Sequence, residues 1–226
     1  MNAAATLVQS TIGKKVVMAA TGILMILWLT IHMAGNMIVF AGEEQFNHYA
    51  HFIQSGFGVE PALLWIMRLG MLGAIGAHIW SAIGLTARNR SARPVGYAVA
   101  RVDRATSYAA RFMMLGGLVL LGFIFFHLAH LTVGTFTPDF DKAEAYKNLV
   151  TGLSNPLTAG FYILANMALA AHLHHGMTSG LQTLGLNHPR YNDLKARLGW
   201  AVPGLIAGGN IFIALSILAG FVAAPA

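Results

Sequence analysis

The sequence has 226 residues, of which 56% are hydrophobic and only 10% charged, whereas soluble domains are about 25% charged. This shortage of charge excludes an ordinary soluble protein, and the absence of cysteine excludes disulfides, iron–sulfur clusters and thiolate-bound metals within the chain. The net charge is +6, and the ten histidines outnumber the eight acidic residues.

Five apolar stretches are long enough to cross a membrane, which takes about 20 helical residues. In chain order they are residues 16–40, 61–87, 112–133, 157–181 and 198–222. Each must be a helix, because unpaired backbone groups are not tolerated in lipid. The first is too long for the core of a cleaved signal peptide, about 7–15 residues. We therefore predict an all-α integral membrane bundle of five transmembrane helices, forming one domain over residues 1–226.

The connections between the spans differ sharply in charge. Eleven of the fourteen basic residues lie on one side: Lys14, Lys15, Arg88, Arg90, Arg93, Arg101, Arg104, Arg111, Arg190, Lys195 and Arg197. By the positive-inside rule this side is cytoplasmic, so the N-terminus is cytoplasmic and the C-terminus lies outside. We expect the protein in the cell inner membrane. The asymmetry accounts for the positive net charge without a nucleic-acid partner. It favours lipid headgroups or a docked protein as the partners of the basic loops.

The first four spans contain a weak internal repeat that carries one histidine in each span. Ile31-His32-Met33-Ala34 resembles Phe126-His127-Leu128-Ala129, and Ala77-His78-Ile79 resembles Ala171-His172-Leu173. His32 and His78 are 46 residues apart, and His127 and His172 are 45 apart. Each half of the repeat is therefore a hairpin with a histidine in each leg, and the fifth span is a flanking helix.

The helical rise of about 1.5 Å per residue gives the depth of each histidine. His32 and His127 lie roughly 25 Å from the inner face, and His78 and His172 roughly 15 Å from it. Two facing imidazoles at one depth can supply both axial ligands of a haem in a bundle core. We therefore predict two haems b, an outer one held by His32 and His127 and an inner one held by His78 and His172.

Other interpretations of these histidines are less consistent with the pattern. A single membrane histidine often bonds a neighbouring carbonyl, but four in matched pairs are hard to explain separately. A zinc or copper site needs ligands that converge on one point, which two separate levels do not provide. A proton relay would need nearby carboxylates, and no Asp or Glu lies in any of the five spans.

Glycines on the histidine-bearing spans have two possible roles. They permit close approach of a flat porphyrin, or packing of helices through small residues. The candidates are Gly35, Gly73, Gly76, Gly116, Gly117 and Gly176.

Several motifs, taken in order, resemble the dihaem cytochrome b membrane-anchor subunit of succinate:quinone oxidoreductases, the succinate dehydrogenases and fumarate reductases. They occupy residues 31–40, 46–47, 50–52, 86–89 and 172–185. The resemblance covers nearly the whole chain and includes five helices, an internal N-terminus and haem ligation between helices one and three and between two and four. The individual motifs are loose, but their order is specific.

The resemblance implies two soluble partners on the cytoplasmic side, a flavoprotein with covalent FAD and an iron–sulfur protein. Electrons from succinate would pass through the inner and then the outer haem to a quinone, which is mostly menaquinone in dihaem members. Fumarate reduction is the same path in reverse. The alternatives are a dihaem cytochrome b of a hydrogenase, formate dehydrogenase or nitrate reductase, or a transporter or structural membrane protein without haem.

The histidines that ligate haem in the family correspond most directly to His32, His78 and His172. On the third span both His127 and His130 are candidates, and the family register and the repeat favour His127. His130 is expected just outward, near the quinone or a haem propionate.

The resemblance also implies roles for residues around the haems. Glu60 corresponds to an acidic residue at the quinone site of some relatives, and Arg68 is expected to pair with outer-haem propionates or to extend toward the interface. Ala170 stands where some fumarate reductases have a glutamate proposed for proton movement. Arg88, Arg111 or Tyr108 is expected near the inner propionates. His174 and His175 are expected to bind backbone, lipid headgroups or those propionates.

Overall fold

The computed structural model describes residues 9–55, 62–92 and 113–223. These residues form seven α-helices: α1 Thr11–Asn36, α2 Glu43–Ser55, α3 Ala62–Ser91, α4 Met113–Leu128, α5 Ala145–Ser154, α6 Pro156–Thr183 and α7 Asn192–Leu218. A 3₁₀ turn, Met37–Ala41, follows α1, a π-helical turn, Ala129–Val133, extends α4, and a 3₁₀ turn, Pro189–Tyr191, precedes α7. No strand occurs in the described ranges, so the all-α prediction is confirmed.

Five of the helical segments are long and apolar enough to cross a membrane, as predicted. They are Thr11–Ala41, Leu64–Ser91, Met113–Val133, Pro156–Thr183 and Pro189–Leu218. The chain is therefore a multi-pass membrane protein. The first span begins earlier than predicted because the Ser10 hydroxyl caps it by accepting from the Gly13 amide at 2.9 Å. The last ends earlier, at Leu218, and Gly220 follows with a φ of 76°.

The four histidine-bearing helices pack around a central contact between α1 and α6. Helix α3 packs along α1, and α4 packs along α6. Helix α7 packs mainly on the far side of this group, along α6, with a smaller contact to α1. Helix α7 is therefore the flanking helix that the sequence predicts.

One end of the bundle is closed by the two short helices α2 and α5. The Asn47 side-chain oxygen accepts from the Tyr146 amide at 2.9 Å, and the Asn47 amide donates to the Glu144 carboxylate at 3.4 Å. The main buried cluster lies beneath these helices and comprises Val39, Phe46, Tyr146, Leu149, Val150, Leu153, Tyr162, Ile213, Ala214, Ile217 and Val222. We call this the capped end. The opposite end carries the basic residues Lys14 and Arg88.

A proline in α7 creates a hydrogen bond between α6 and α7. Pro203 has no N–H, so the carbonyl of Gly199, four residues earlier, lacks its helical donor. The His174 Nδ1–H on α6 donates to that carbonyl at 2.6 Å, and the imidazole lies 4.3 Å from the Trp200 ring, centroid to centroid. Of the roles expected for His174, backbone binding is the one that the structure shows.

Replacing His174 with alanine should lower the free energy of unfolding by about 1 kcal/mol, because it leaves the Gly199 carbonyl without a donor. A lower thermal midpoint in detergent would measure this loss. In a Pro203→Ala background the new amide can bond Gly199, so His174→Ala should cost less there. An equal cost in both backgrounds would contradict the hydrogen-bond explanation.

Candidate haem site

The structure brings the four predicted ligands together in two pairs. The imidazoles of His32 on α1 and His127 on α4 have ring centroids 5.9 Å apart and lie at 90° to each other. The imidazoles of His78 on α3 and His172 on α6 have centroids 6.4 Å apart and lie at 56°. Each imidazole is partly buried. The pairs are those that depth along the helices predicts.

These separations would allow two imidazoles to share one metal ion. A bond from metal to imidazole nitrogen is about 2 Å long, and the ring centre lies about 1 Å behind the nitrogen, so opposite ligands have centroids about 6 Å apart. Neither pair is joined by a direct hydrogen bond between its rings. The rings are thus set apart by a distance that an intervening metal would span.

Each pair bridges two helices that are not in extensive backbone contact. Within the described ranges, α1 packs closely on α3 and α4 on α6, whereas α1–α4 and α3–α6 are not among the closely packed pairs. Helix α4 is the least covered span: 6% of its most apolar 18-residue stretch is buried, against 39% for α7. A cavity of about 280 Å³ lies against His172, lined by residues including Gly116, Val119 and Ala168. Each imidazole pair therefore bridges two helices that are not closely packed, and at His172 an open cavity adjoins the pair.

Glycines leave the helix surfaces beside the His78–His172 pair without side chains. A Cβ atom at Gly22 would lie 3.7 Å from His78 Cε1, and one at Gly117 would lie 3.6 Å from His172 Cε1. Gly116 is also beside His172. Gly22 was not identified from the sequence, although its place ten residues before His32 puts it near the depth of His78.

The other predicted glycines divide between two situations. Gly35 packs against the Tyr49 side chain of α2, where a Cβ atom would collide, so its role is helix packing. At Gly73, Gly76 and Gly176 a Cβ atom would meet no described atom within 4 Å. Of the two expected roles, helix packing is shown at Gly35, and close approach to a porphyrin stays a prediction.

The Thr21 hydroxyl is a hydrogen-bond partner of His78 Nδ1. The hydroxyl donates to the Val17 carbonyl at 2.7 Å, so its oxygen is available to accept from His78 Nδ1–H at 3.2 Å. The lone pair of His78 then lies on Nε2. A histidine that ligates a metal usually donates its other ring N–H to a neighbouring acceptor in this way. Thr21 was missed in the sequence because a threonine that bonds its own helix gives no distinct pattern.

Tyr162 on α6 occupies the corresponding position beside His127. The Tyr162 hydroxyl oxygen lies 3.2 Å from His127 Nδ1 and 2.9 Å from His130 Nδ1. The rings of Trp28 and Phe123 pack against His32 and His127, with centroids 4.6 Å and 5.9 Å away. The orientation of this pair is thus held by aromatic neighbours and one phenol.

His130 is separated from the pair and faces the capped end. Its side chain is fully buried in the π-helical turn, stacks on Phe126 and packs against Gly152 of α5. Its Nε2 atom has no hydrogen-bond partner within the described residues. Of the two candidates on the third span, His127 is therefore the one that faces His32.

The remaining predicted residues occupy different surroundings. Arg68 is exposed, with its guanidinium 5.3 Å from the centre of the Trp65 ring, a cation–π arrangement. Arg88 donates to the Thr11 hydroxyl at 3.1 Å and to the Gln9 carbonyl at 2.6 Å, which ties α3 to the start of α1. Glu60, Tyr108 and Arg111 lie outside the described residues.

The donor set fits haem better than a metal bound by protein alone. No group of three or more His, Cys, Asp or Glu that could hold a metal occurs within residues 9–55, 62–92 and 113–223. A structural zinc needs four protein ligands and a catalytic one about three. A porphyrin supplies four nitrogens itself, so a pair of opposed imidazoles completes its iron.

No family model matches the chain, and comparison with curated proteins and with solved structures gives no match.

Replacing Gly117 with leucine should reduce haem content by about half. The new side chain would occupy the space beside the His172 imidazole and disturb one of the two sites. Haem per polypeptide, measured as the pyridine haemochrome, tests this. Gly204→Leu on α7 is the matched control, because no described atom lies near a Cβ at that exposed position. Equal haem content in the two variants would contradict a site at His172.

Proposed function

We propose that this chain is the dihaem cytochrome b membrane anchor of a succinate:quinone oxidoreductase. In this role it carries electrons from an iron–sulfur subunit to a quinone, with menaquinone the first candidate. The observation that carries the proposal is the presence of two imidazole pairs on four different membrane helices. The ring centroids are 5.9 Å apart in one pair and 6.4 Å apart in the other. The order of the sequence motifs supports this particular family.

The chain's own residues would hold and orient two haems. His32 and His127 would bind one iron, and His78 and His172 the other. Haem held by two imidazoles would exchange single electrons and would have no site left for oxygen. Thr21 fixes the ring of His78, and Tyr162 fixes that of His127. The apolar helices exclude water, which favours reversible electron transfer over side reactions.

The charge distribution supports a docking role at the end opposite the cap. Lys14, Arg88 and Arg190 belong to the basic connections, whereas Glu43 and Asp141 belong to the capped end. A cytoplasmic position for the basic end would place it against the iron–sulfur and FAD-containing flavoprotein subunits, in the inner membrane. The supply and potential of the quinone would then decide between succinate oxidation and fumarate reduction. No dicarboxylate chemistry is assigned to this chain itself.

Replacing His78 with alanine should remove one haem and leave the other, because only one pair loses a ligand. His172→Ala should give the same spectrum as His78→Ala. Reduced-minus-oxidised spectra and haem content of the purified variants measure this. His51→Ala is the control, since His51 is exposed on α2 and should leave both haems in place. A wild-type protein without a cytochrome b band, or a His78→Ala variant that keeps both haems, would refute the assignment.

The choice of respiratory complex is tested by purification of the tagged chain from membranes of its own cell. We expect a flavoprotein with covalently bound FAD and an iron–sulfur protein to copurify, with succinate-dependent reduction of a quinone. Copurification of haem-containing protein with hydrogenase, formate dehydrogenase or nitrate reductase subunits would favour the alternative dihaem cytochromes and contradict this proposal.

A further inference from the structure

One phenol connects two histidines at the capped end of the bundle. Tyr162 Oη lies 3.2 Å from His127 Nδ1 and 2.9 Å from His130 Nδ1. All three side chains lie within the helices α4 and α6 and the π-helical turn, beneath α2 and α5. A hydroxyl has a single proton, so it can donate to only one of the two imidazoles and must accept from the other.

The proposed function decides the direction of these hydrogen bonds, and the inference rests on it. A neutral His127 that binds iron through Nε2 carries its proton on Nδ1 and must donate it to Tyr162 Oη. The Tyr162 hydroxyl then donates to His130 Nδ1, and the proton of His130 is on Nε2. The result is a chain of two hydrogen bonds that runs from the haem ligand to a fully buried histidine.

His130 is unusual for a residue with only a packing role. Its Nε2 is buried and has no hydrogen-bond partner in the described part of the chain, and a buried polar atom without a partner costs stability. An apolar residue would pack beside Phe126 and Gly152 without that cost. The interaction that distinguishes histidine here is the bond at Nδ1, which accepts the phenol proton.

The other pair has a chemically different acceptor. His78 Nδ1 is bonded to Thr21, whose own proton goes to backbone carbonyls of α1. The hydrogen bond from Tyr162 to an imidazole polarises the phenol oxygen and strengthens its acceptance from His127, because hydrogen bonds in a chain reinforce one another at low dielectric. His127 and His78 would therefore donate to different kinds of oxygen, a phenol bonded to an imidazole and an aliphatic hydroxyl bonded to backbone carbonyls.

We propose that Tyr162 and His130 are positioning residues that lower the reduction potential of the haem held by His32 and His127. A stronger acceptor at Nδ1 places more negative charge on the ligating imidazole, which stabilises ferric over ferrous iron. Removal of the acceptor therefore raises the midpoint potential of this haem. The haem held by His78 and His172 is not in contact with the chain of hydrogen bonds and keeps its potential.

Optical redox titration of the purified complex tests the proposal, with both haems measured in one sample. The His78→Ala variant, which retains only the other haem, identifies the signal of the His32–His127 site. Tyr162→Phe is expected to raise the midpoint potential of that site alone. Tyr146→Phe is the matched control, because Tyr146 is also a buried tyrosine at the capped end but donates to the Ala223 carbonyl. It should move neither potential.

Two substitutions of His130 separate the hydrogen bond from packing. His130→Leu removes the acceptor and should raise the same potential, whereas His130→Asn places an oxygen near the position of Nδ1 and should restore it toward the wild-type value. If Tyr162→Phe fails to bind the haem, this pair decides the question.

Three results would overturn the inference: an unchanged potential in Tyr162→Phe, an equal shift in Tyr146→Phe, or equal potentials in His130→Leu and His130→Asn. In each case both haems would still be present, so the proposed function would stand. Absence of haem from the wild-type protein would instead refute the proposed function, and this inference with it.

Discussion

An imidazole inside a membrane is costly unless its ring nitrogens find partners within the protein, because the hydrocarbon offers none. The arrangement of this bundle follows from that constraint. In each pair, one histidine has Nδ1 bonded to a hydroxyl of a neighbouring helix, Thr21 for His78 and Tyr162 for His127. Nε2 of His78 and of His127 is then left for a ligand. An iron between the rings would bind one nitrogen of each paired histidine, whereas His130 Nε2 and His172 Nδ1 have no hydrogen-bond partner among the described residues.

The helix packing leaves each imidazole pair between two helices that are not closely packed, and a cavity lies beside His172. Direct contacts between α1 and α3, α1 and α6, and α4 and α6 hold the bundle together, and the histidine pairs bridge the combinations that are not closely packed. Gly22 and Gly117 prevent side chains from filling the space beside His78 and His172. Helix α7 braces α6 from outside through the His174–Gly199 hydrogen bond. The helix contacts therefore lie between helices other than those that each histidine pair bridges.

The two sites differ in their surroundings although their ligands are the same. The His32–His127 pair lies toward the buried cluster under α2 and α5, where Tyr162 belongs to both the cluster and the hydrogen-bond chain. The His78–His172 pair lies toward the end that carries Lys14 and Arg88, with a threonine as its hydroxyl partner. Under the proposed function, this difference gives each haem a distinct environment along one electron path.

The sequence by itself determined the five spans and the depth of each histidine, because apolar length and a constant helical rise fix position along the membrane normal. It could not determine how each helix is rotated about its axis. That rotation decides that His127 faces His32 while His130 faces Gly152, and that Thr21 and Tyr162 meet imidazoles of other helices. Only tertiary packing fixes it, since contacts between helices, rather than the local sequence, select the face that each one presents.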